Sequence, residues 1–304
     1  MRLIFAGTPE AAVPSLDALA ASGHEIVRVV TRPPAPLGRK RVLTPSPVDA
    51  RAQELGLPVL RANRLRADET AELTALDADL AVIVAYGALV AEPLLSAPRL
   101  GWINLHFSLL PRWRGAAPVQ RALIAGETTT GVDVFRLEAG LDTGPVLASE
   151  AVPIGALETA GNLLARLATL GAGVLADTVE RLADGTAVAV PQEGEPTLAP
   201  KLTLADGRLD WTEPADRVFA RLRGCTPEPG AWTTVGEKRL KVLEAAPARE
   251  APALDPGAVA LVGGRVLAGC AEGALELARV QPEGRGAMPA DAWLRGAGSG
   301  VVLG

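Results

Sequence analysis

The sequence predicts an α/β protein in which a doubly wound parallel β-sheet is followed by a small β-barrel. In the first half, short apolar runs alternate with helical segments, the pattern of buried parallel strands joined by helices. These runs are at 2–6, 25–31, 79–85 and 101–105. In the last third, short β-like segments follow one another with glycine and proline between them, which favours a barrel. These segments are at 231–235, 239–244, 257–261, 265–269 and 274–280.

Two helices have clear sequence signals. Ser46 is a good N-cap, Pro47 suits the first helical position, Asp49 favours the first turn, and Gly56 ends the segment. A second helix is predicted where leucine and valine recur at helical spacing and stop near Gly185. Its apolar positions are Leu163, Leu164, Leu167, Leu170, Val174 and Leu175.

The domain boundaries follow a change in composition. Residues 190–207 are rich in proline, glutamate and threonine and have no periodicity, so we predict a linker there. We therefore expect an α/β domain at 1–189 and the barrel domain at 208–304.

Bulk composition points to a soluble protein of the cytoplasm. Of the 304 residues 48% are hydrophobic, which is enough for a buried core. Cys225 and Cys270 form neither a CxxC pair nor a disulfide framework, which indicates a reducing compartment. The apolar run at 2–6 is too short for a signal peptide, and no uncharged stretch is long enough to cross a bilayer.

The net charge of −5 argues against a nucleic-acid partner unless a local basic patch exists. Such a patch is found in a Pro- and Gly-rich segment, 32–45, which we predict to be an irregular loop and which carries Arg39, Lys40 and Arg41. These cations are either an ordinary solvated loop or a contact for phosphates, and composition alone leaves both open.

Three polar residues are candidates for chemistry. Asn104 and His106 stand two apart at the end of a predicted strand, so their side chains share one face. In an open parallel sheet, ligands gather at the carboxyl ends of the strands. Asp142 lies downstream in the turn 140–144, Gly-Leu-Asp-Thr-Gly, from which a carboxylate can reach the same place.

This trio suits the attack of an amine on a formyl carbon, which creates an oxyanion. Asn104 offers a fixed N–H donor, and a protonated His106 offers a second, stronger one. Asp142 would hold His106 protonated and collect the proton from the amine, directly or through a water. An α-amino group has a pKa of about 7.7–8, so its neutral form is available without a serine or cysteine nucleophile.

Plainer interpretations remain open for each residue. Asn104 and His106 would otherwise be turn or packing residues, and Asp142 would otherwise stabilise its own turn. The chain has only two histidines, which argues against a histidine-rich metal site, so we expect no metal. The turn after the first strand, Gly7-Thr8-Pro9, is not G-x-G-x-x-G, so no dinucleotide is expected.

The segment 104–120 resembles the signature of the folate-dependent formyltransferases: Asn-Leu-His-Phe-Ser-Leu-Leu-Pro-Arg-Trp-Arg-Gly-Ala-Ala-Pro-Val-Gln. Its part at 112–115 is similar to the branch of the family that acts on methionyl-tRNA. The resemblance implies that Asn104, His106 and Asp142 are catalytic. Position 107 departs from it, because phenylalanine stands where the family usually has proline or a small residue.

The resemblance extends over nearly the whole chain and implies the ligand contacts. Residues 84–87 resemble a strand end on the folate side, and 209–211 resemble the start of an oligonucleotide-binding (OB)-like C-terminal domain that binds tRNA. The loop 32–45 is similar to the insertion that engages the acceptor end of the tRNA, with Arg39 on its key arginine. The implied tetrahydrofolate contacts are Ser108, Leu109, Leu110, Pro111, Tyr86 and Gly87.

The resemblance implies a protein that formylates the methionine of initiator methionyl-tRNA with 10-formyltetrahydrofolate. We expect it to be a cytoplasmic monomer without a metal or a membrane partner. Two alternatives stay open. One is a formyltransferase acting on a small amine, such as a glycinamide nucleotide or an amino-sugar nucleotide, because the same trio would serve it. The other is a folate- or RNA-binding module without catalysis.

Overall fold

The structure, a computed structural model, describes residues 1–38, 40–298 and 300–304. The chain forms two units that interleave in sequence. Unit 1 contains Met1–Pro118, Thr130–Val152 and Leu164–Ala199, and unit 2 contains Val119–Thr129, Pro153–Leu163 and Pro200–Gly304. Unit 2 therefore includes two short stretches of the half of the chain that we predicted to be α/β.

Fifteen strands lie in the described part of the chain. In chain order they are β1 (Arg2–Gly7), β2 (Glu25–Thr31), β3 (Ala35–Leu37), β4 (Val42–Thr44), β5 (Val59–Arg61), β6 (Leu80–Val84), β7 (Trp102–His106), β8 (Thr129–Arg136), β9 (Val146–Pro153), β10 (Trp232–Val235), β11 (Lys238–Pro247), β12 (Val259–Val262), β13 (Arg265–Gly269), β14 (Ala274–Pro282) and β15 (Met288–Pro289).

Seven α-helices lie in the same described ranges. They are α1 (Val13–Ala20), α2 (Pro47–Glu54), α3 (Ala67–Thr74), α4 (Pro118–Ile124), α5 (Ala160–Ala183), α6 (Ala215–Cys225) and α7 (Ala290–Ala297). Helix α2 begins as predicted, because the Ser46 hydroxyl accepts the amide hydrogen of Asp49 at 3.0 Å. Gly56 follows its end with a φ of +67°, a conformation that favours glycine.

The sheet of unit 1 confirms the doubly wound fold. Its order is β5-β2-β1-β6-β7-β8-β9, so the chain builds outward from β1 in one direction and then in the other. The pairs from β5 to β7 are parallel, whereas β8 runs antiparallel to β7, so the sheet is mixed. Every residue of β6 is buried, as expected for a parallel strand covered on both faces.

The segment 32–45 is not the irregular loop that we predicted. Strands β3 and β4 form an antiparallel hairpin in which Ala35 lies opposite Thr44 and Leu37 opposite Val42. Valine, leucine and threonine in β4 are good strand formers, and Gly38 supplies the positive φ, +69°, that the turn needs. An isolated ribbon uses only part of its amides for pairing, so its one proline, Pro36, is tolerated.

Part of the predicted linker is fixed to unit 1 by backbone hydrogen bonds. Val190 exchanges two bonds with Val146, at 2.7 and 2.8 Å. The amide of Arg114 donates to Thr197 at 2.8 Å, and the amide of Ala199 donates back to Arg114 at 2.7 Å. This Pro- and Glu-rich stretch thus has a defined course without any periodicity in its sequence.

Unit 2 contains the predicted small barrel, in the form of a curled antiparallel sheet of order β10-β11-β14-β13-β12, with β15 beside β14. The last residues of the chain bond to both edge strands. Gly304 exchanges hydrogen bonds with Thr234 of β10, and Val301 accepts the amide hydrogen of Val259 of β12. The C-terminal segment therefore links the two edges and holds the curl of the sheet.

No helix in the described ranges is long and apolar enough to cross a membrane.

The C-terminal segment offers a test of barrel stability. Leu303 is 3% exposed, whereas its neighbour Val302 is 59% exposed. Leu303→Ala should lower the free energy of unfolding by about 2–5 kcal/mol, because it removes buried methyl groups and leaves a cavity. Val302→Ala should change it by about 0.5 kcal/mol or less. Urea unfolding followed by tryptophan fluorescence measures both, and equal effects would contradict the proposed role of the segment.

Candidate functional site

Two of the predicted site residues lie at the carboxyl end of β7. Because β6 and β7 are parallel neighbours, this end opens at the edge of the sheet where ligands bind in such folds. His106 is 6% exposed, and Asn104 is half-buried on the same face of the strand. The Asn104 amide has no hydrogen-bond partner within residues 1–38, 40–298 and 300–304, so its donors are available to a ligand.

The contacts of His106 define the proton on its ring. Its Nε2 lies 2.9 Å from the carbonyl oxygen of Trp113. A carbonyl only accepts, so Nε2 carries the hydrogen, and Nδ1 of the neutral ring is left as an acceptor. That Nδ1 lies 3.9 Å from Oδ2 of Asp142, so the structure brings the imidazole and the carboxylate together.

Burial lowers the pKa of His106 below its usual value, because the charged ring loses its hydration. The Asp142 carboxylate and the Trp113 carbonyl oppose this effect without reversing it. We expected Asp142 to hold His106 protonated, but in the protein without substrates burial favours the neutral ring. At neutral pH the ring is predominantly neutral, which makes it a proton acceptor first and a charged donor only afterwards.

Asp142 is held in place from several sides. Its Oδ2 accepts the amide hydrogen of Gly115 at 2.7 Å, so the carboxylate bonds to a neighbouring loop rather than to its own turn. The side chain of Gln192 donates to the carbonyls of Asp142 and Gly144, both at 2.8 Å. A Cβ on Gly144 would overlap the carbonyl oxygen of Arg136, so the turn requires glycine there.

The loop 107–115, which follows β7, supplies hydrogen-bond partners for both His106 and Asp142. The Ser108 hydroxyl donates to the Arg112 carbonyl at 2.7 Å, closing a tight turn. The Trp113 amide donates to the Thr197 hydroxyl at 2.8 Å. Gly115 has a φ of +121°, and a Cβ there would lie 2.9 Å from the carbonyl oxygen of Ala199. The loop therefore packs too closely for a side chain at that position.

Tyr86 and Gly87 follow β6, beside the end of β7. The Tyr86 side chain is 1% exposed, and its hydroxyl donates to Ala62 at 2.7 Å, so the ring belongs to the core. Arg32 donates to the carbonyls of Tyr86 and Gly87, at 3.3 and 2.5 Å. At Tyr86 and Gly87, therefore, a ligand would contact backbone atoms.

The basic hairpin presents its cations to solvent. Lys40 and Arg41 are exposed in the turn between β3 and β4, and Arg41 donates its amide hydrogen to Gly38 at 3.1 Å. Leu37 and Leu43, on the same hairpin, are 66% and 69% exposed. Arg39 lies outside the described residues.

One buried carboxylate was missed by our sequence analysis. Asp133 lies on β8 directly opposite His106 and is 2% exposed. Burial raises its pKa to about 6, although hydrogen bonds from Ser149 and from the Leu110 amide act in the other direction. The signal was present in the run Val132-Asp133-Val134, where a charged residue interrupts an apolar, β-branched segment.

His24, Cys225 and Cys270 do not join the site. His24 precedes β2, at the opposite edge of the sheet from His106, and bonds to the amino group of Met1 at 3.2 Å. Cys225 and Cys270 are buried in unit 2, and burial raises the pKa of each to about 11. Within the described part of the chain, no group of three or more His, Cys, Asp or Glu side chains is arranged to hold a metal ion.

The chain matches two protein-family models, and together they cover most of it. Residues 1–179 match the family described as "Formyl transferase", and residues 201–298 match "Formyl transferase, C-terminal domain". A methionyl-tRNA formyltransferase of Clavibacter sepedonicus is 63% identical over 97% of both chains. A methionyl-tRNA formyltransferase of Streptomyces coelicolor is 51% identical over 98% of this chain and 97% of that relative.

Solved structures share the fold at much lower identity. A methionyl-tRNA formyltransferase from Clostridium thermocellum is 14% identical, with a TM-score of 0.57, over 83% of this chain and 95% of that one. An N-formyltransferase from Helicobacter canadensis, solved with folinic acid and dTDP-3-aminofucose, is 15% identical, with a TM-score of 0.69, over 92% and 98%.

The two histidines allow a direct test of the electrostatics. In a proton NMR titration, with His24→Gln to assign the signals, His106 should titrate below the ordinary histidine value of about 6.5. Asp142→Asn should lower the His106 pKa further, because it removes the anion that favours the charged ring. A pKa above about 7 for His106 in the free protein would show that the carboxylate outweighs burial.

Proposed function

The chain belongs to the family of methionyl-tRNA formyltransferases, and on that premise we propose a specific reaction for it. The protein moves the formyl group of 10-formyltetrahydrofolate to the amino group of methionine on initiator methionyl-tRNA. The product, N-formylmethionyl-tRNA, serves translation initiation. The observation that carries this proposal is the meeting of His106 and Asp142 beside Asn104 at the carboxyl end of β7.

Asn104 is the candidate donor for the oxyanion. When the amine attacks the formyl carbon, the carbonyl oxygen gains negative charge. A preorganised N–H donor at that oxygen lowers the barrier more than it improves ground-state binding. The half-buried Asn104 amide fits this role, because no other group in the described part of the chain occupies its hydrogens.

His106 is the candidate proton acceptor. The amine forms a C–N bond to the formyl carbon and gives a proton to Nδ1 of the neutral ring. Asp142, 3.9 Å from that nitrogen, stabilises the resulting cation. When the bond between the formyl carbon and N10 of the folate breaks, the departing nitrogen takes the proton back. Charge and protons balance without a covalent enzyme intermediate.

The formyl donor is a second substrate, and the residues beside the trio suit it. The Leu109 and Leu110 side chains are half-buried in the segment 108–111, directly after β7, and offer apolar surface next to polar backbone. The Ser108 hydroxyl is engaged with Arg112, so Ser108 shapes this segment. Such a mixture of apolar lining and a few fixed polar groups is typical of small-molecule sites.

In unit 1 the candidate tRNA contact is the β3–β4 hairpin. Lys40 and Arg41 are exposed at its turn, and Arg39 adds a third cation in the sequence. Phosphates attract such cations, and the exposed Leu37 and Leu43 add apolar surface for contact with bases. This hairpin answers the objection raised by the net charge of −5, because positive charge is concentrated locally.

In unit 2 the candidate tRNA contact is an open cavity with a volume of about 520 Å³. Arg239 and Lys241 of β11 line it together with Trp232, whose ring centre is 4.5 Å from the guanidinium of Arg239. Glu237 and Glu283 lie in the same lining. Arg208 lies 5.9 Å from the same ring. Cations beside an aromatic ring form a surface that accepts phosphates and stacked bases.

The remaining expectations belong with this proposal. We propose that the protein acts as a monomer in the cytoplasm. A small-amine substrate and a non-catalytic binding module gain no supporting observation of their own. A basic hairpin and an aromatic surface with Arg239 and Lys241 suit a nucleic acid better than a small amine, and Asn104 beside a His–Asp pair suits turnover.

The trio can be tested with Asn104→Ala, His106→Ala and Asp142→Ala in a formylation assay that uses initiator methionyl-tRNA and 10-formyltetrahydrofolate. Losing one oxyanion donor typically lowers kcat by about 100- to 1,000-fold, so we expect Asn104→Ala to fall in that range. The Kd for tRNA should stay within about threefold of wild type, because these residues act at the reacting carbon.

The matched control is His24→Ala, which removes the other histidine and should leave kcat unchanged. Near-normal turnover in His106→Ala would refute the assigned role. Equal rates on a glycinamide nucleotide and on methionyl-tRNA would support the small-amine alternative instead.

The tRNA surfaces can be tested by charge removal. Lys40→Ala with Arg41→Ala, and separately Lys241→Ala, should raise the Kd for tRNA. Each should also reduce the salt dependence of binding by about one unit of slope for every phosphate that is no longer neutralised. Lys238→Ala is the control, because Lys238 is exposed on the same strand as Lys241 but points to the other side. Equal effects of Lys238 and Lys241 would show a general charge effect and no specific contact.

A further inference from the structure

Asp133 is an unusual residue for its place in the fold. It lies within β8, between Val132 and Val134, which are both fully buried. Its side chain shares a face of the sheet with His106, because the two residues are directly opposite in the antiparallel pair β7–β8. No arginine or lysine pairs with the carboxylate in the described part of the chain, so it does not serve as half of an ion pair.

The carboxylate is used instead to hold the loop that follows β7. Its Oδ2 accepts the amide hydrogen of Leu110 at 2.6 Å. Its Oδ1 accepts the hydroxyl hydrogen of Ser149, on the neighbouring strand β9. Asp133 thus bridges the edge of the sheet to the middle of the segment 108–111.

A second residue of β8 fixes the same segment. Gly131 lies two residues before Asp133 and therefore on the same face. A Cβ on Gly131 would lie 2.5 Å from Cδ2 of Leu109, so the leucine packs directly on the glycine backbone. Leu109 is placed by packing and Leu110 by a hydrogen bond, and both restraints come from one face of β8.

The residues that follow this segment contact the two candidate catalytic side chains, so the position of the segment affects the site. The chain continues to Trp113, whose carbonyl accepts from His106 at 2.9 Å, and to Gly115, whose amide donates to Asp142 at 2.7 Å. The start of the loop is therefore fixed by Asp133 and its end by the two candidate catalytic side chains.

We propose that Asp133 is a positioning residue, which through its hydrogen bond to the Leu110 amide sets the segment 108–111 for binding of the formyl donor. The inference rests on the proposed function, since it assigns that segment to the donor. Asp133 itself touches neither substrate. It acts by removing alternative loop conformations before the donor arrives, so that less ordering is needed on binding.

The hydrogen bond, rather than the charge, is the property that the proposal requires. An asparagine can present an oxygen to the Leu110 amide and an N–H to the Ser149 hydroxyl, which also accepts. Alanine provides neither group and leaves the amide unpaired. The buried carboxylate has its pKa raised to about 6, so its charge is already disfavoured by its surroundings.

The test compares Asp133→Ala, Asp133→Asn and Ser149→Ala. Binding of 5-formyltetrahydrofolate, an unreactive analogue of the donor, is measured by calorimetry, and binding of initiator methionyl-tRNA by filter binding. Asp133→Ala should raise the Kd for the folate about tenfold, equivalent to about 1.4 kcal/mol, and leave the Kd for tRNA unchanged. Asp133→Asn should restore folate binding to within about threefold of wild type, a change of less than about 0.7 kcal/mol.

Ser149→Ala keeps the bond to Leu110, so it should bind the folate like wild type. The amide resonance of Leu110 should shift in Asp133→Ala and stay close to its normal position in the other two variants. If Asp133→Ala does not fold, Asp133→Ser takes its place, because its shorter hydroxyl does not reach the amide.

Equal folate affinity in wild type and Asp133→Ala would overturn the inference, as would an Asp133→Asn protein as defective as the alanine variant. Failure of the proposed function looks different. In that case the wild-type protein binds the folate analogue but does not formylate methionyl-tRNA, and the effect of Asp133 on folate binding is still measurable.

Discussion

The candidate site depends on the hydrogen bond by which Asp142 accepts the amide hydrogen of Gly115. This bond joins two segments that are far apart in the sequence, the loop after β7 and the turn after β8. It places a carboxylate 3.9 Å from Nδ1 of His106, while Trp113, in the same loop, fixes the other ring nitrogen. Without it, the Asp142 carboxylate would lose the hydrogen bond that ties it to the loop that also contacts His106.

The electrostatics follow from this arrangement and from burial. Loss of hydration lowers the pKa of His106 in the free protein, yet a carboxylate lies beside the nitrogen that would take a proton. A neutral His106 with a carboxylate beside Nδ1 accepts a proton readily only when the attacking amine delivers that proton to Nδ1. The low exposure of both side chains, 7% and 11%, strengthens their interaction relative to water. Burial and pairing therefore act at different stages of the same reaction.

Much of the fold and of the candidate site could be predicted from the sequence, and the features that could not be predicted have physical reasons. Buried parallel strands such as β6 are nearly pure apolar runs, so they stand out. Strand β8 was not identified, because Gly131 and Asp133 interrupt its apolar pattern. These two residues are the ones that position Leu109 and Leu110. The hairpin at 35–44 was mistaken for a loop because it contains Pro36 and is flanked by Pro33, Pro34 and Pro45. The lowered pKa of His106 results from burial, which cannot be inferred from the local sequence.

The central claim is that Asn104, His106 and Asp142 surround one formyl carbon. A crystal structure of the protein with 5-formyltetrahydrofolate tests it most directly. We predict that the folate lies along 108–111, with its carbonyl oxygen accepting a hydrogen bond from the Asn104 amide and its formyl group beside His106. A folate bound elsewhere, or one whose formyl group points away from the end of β7, would contradict the proposed mechanism.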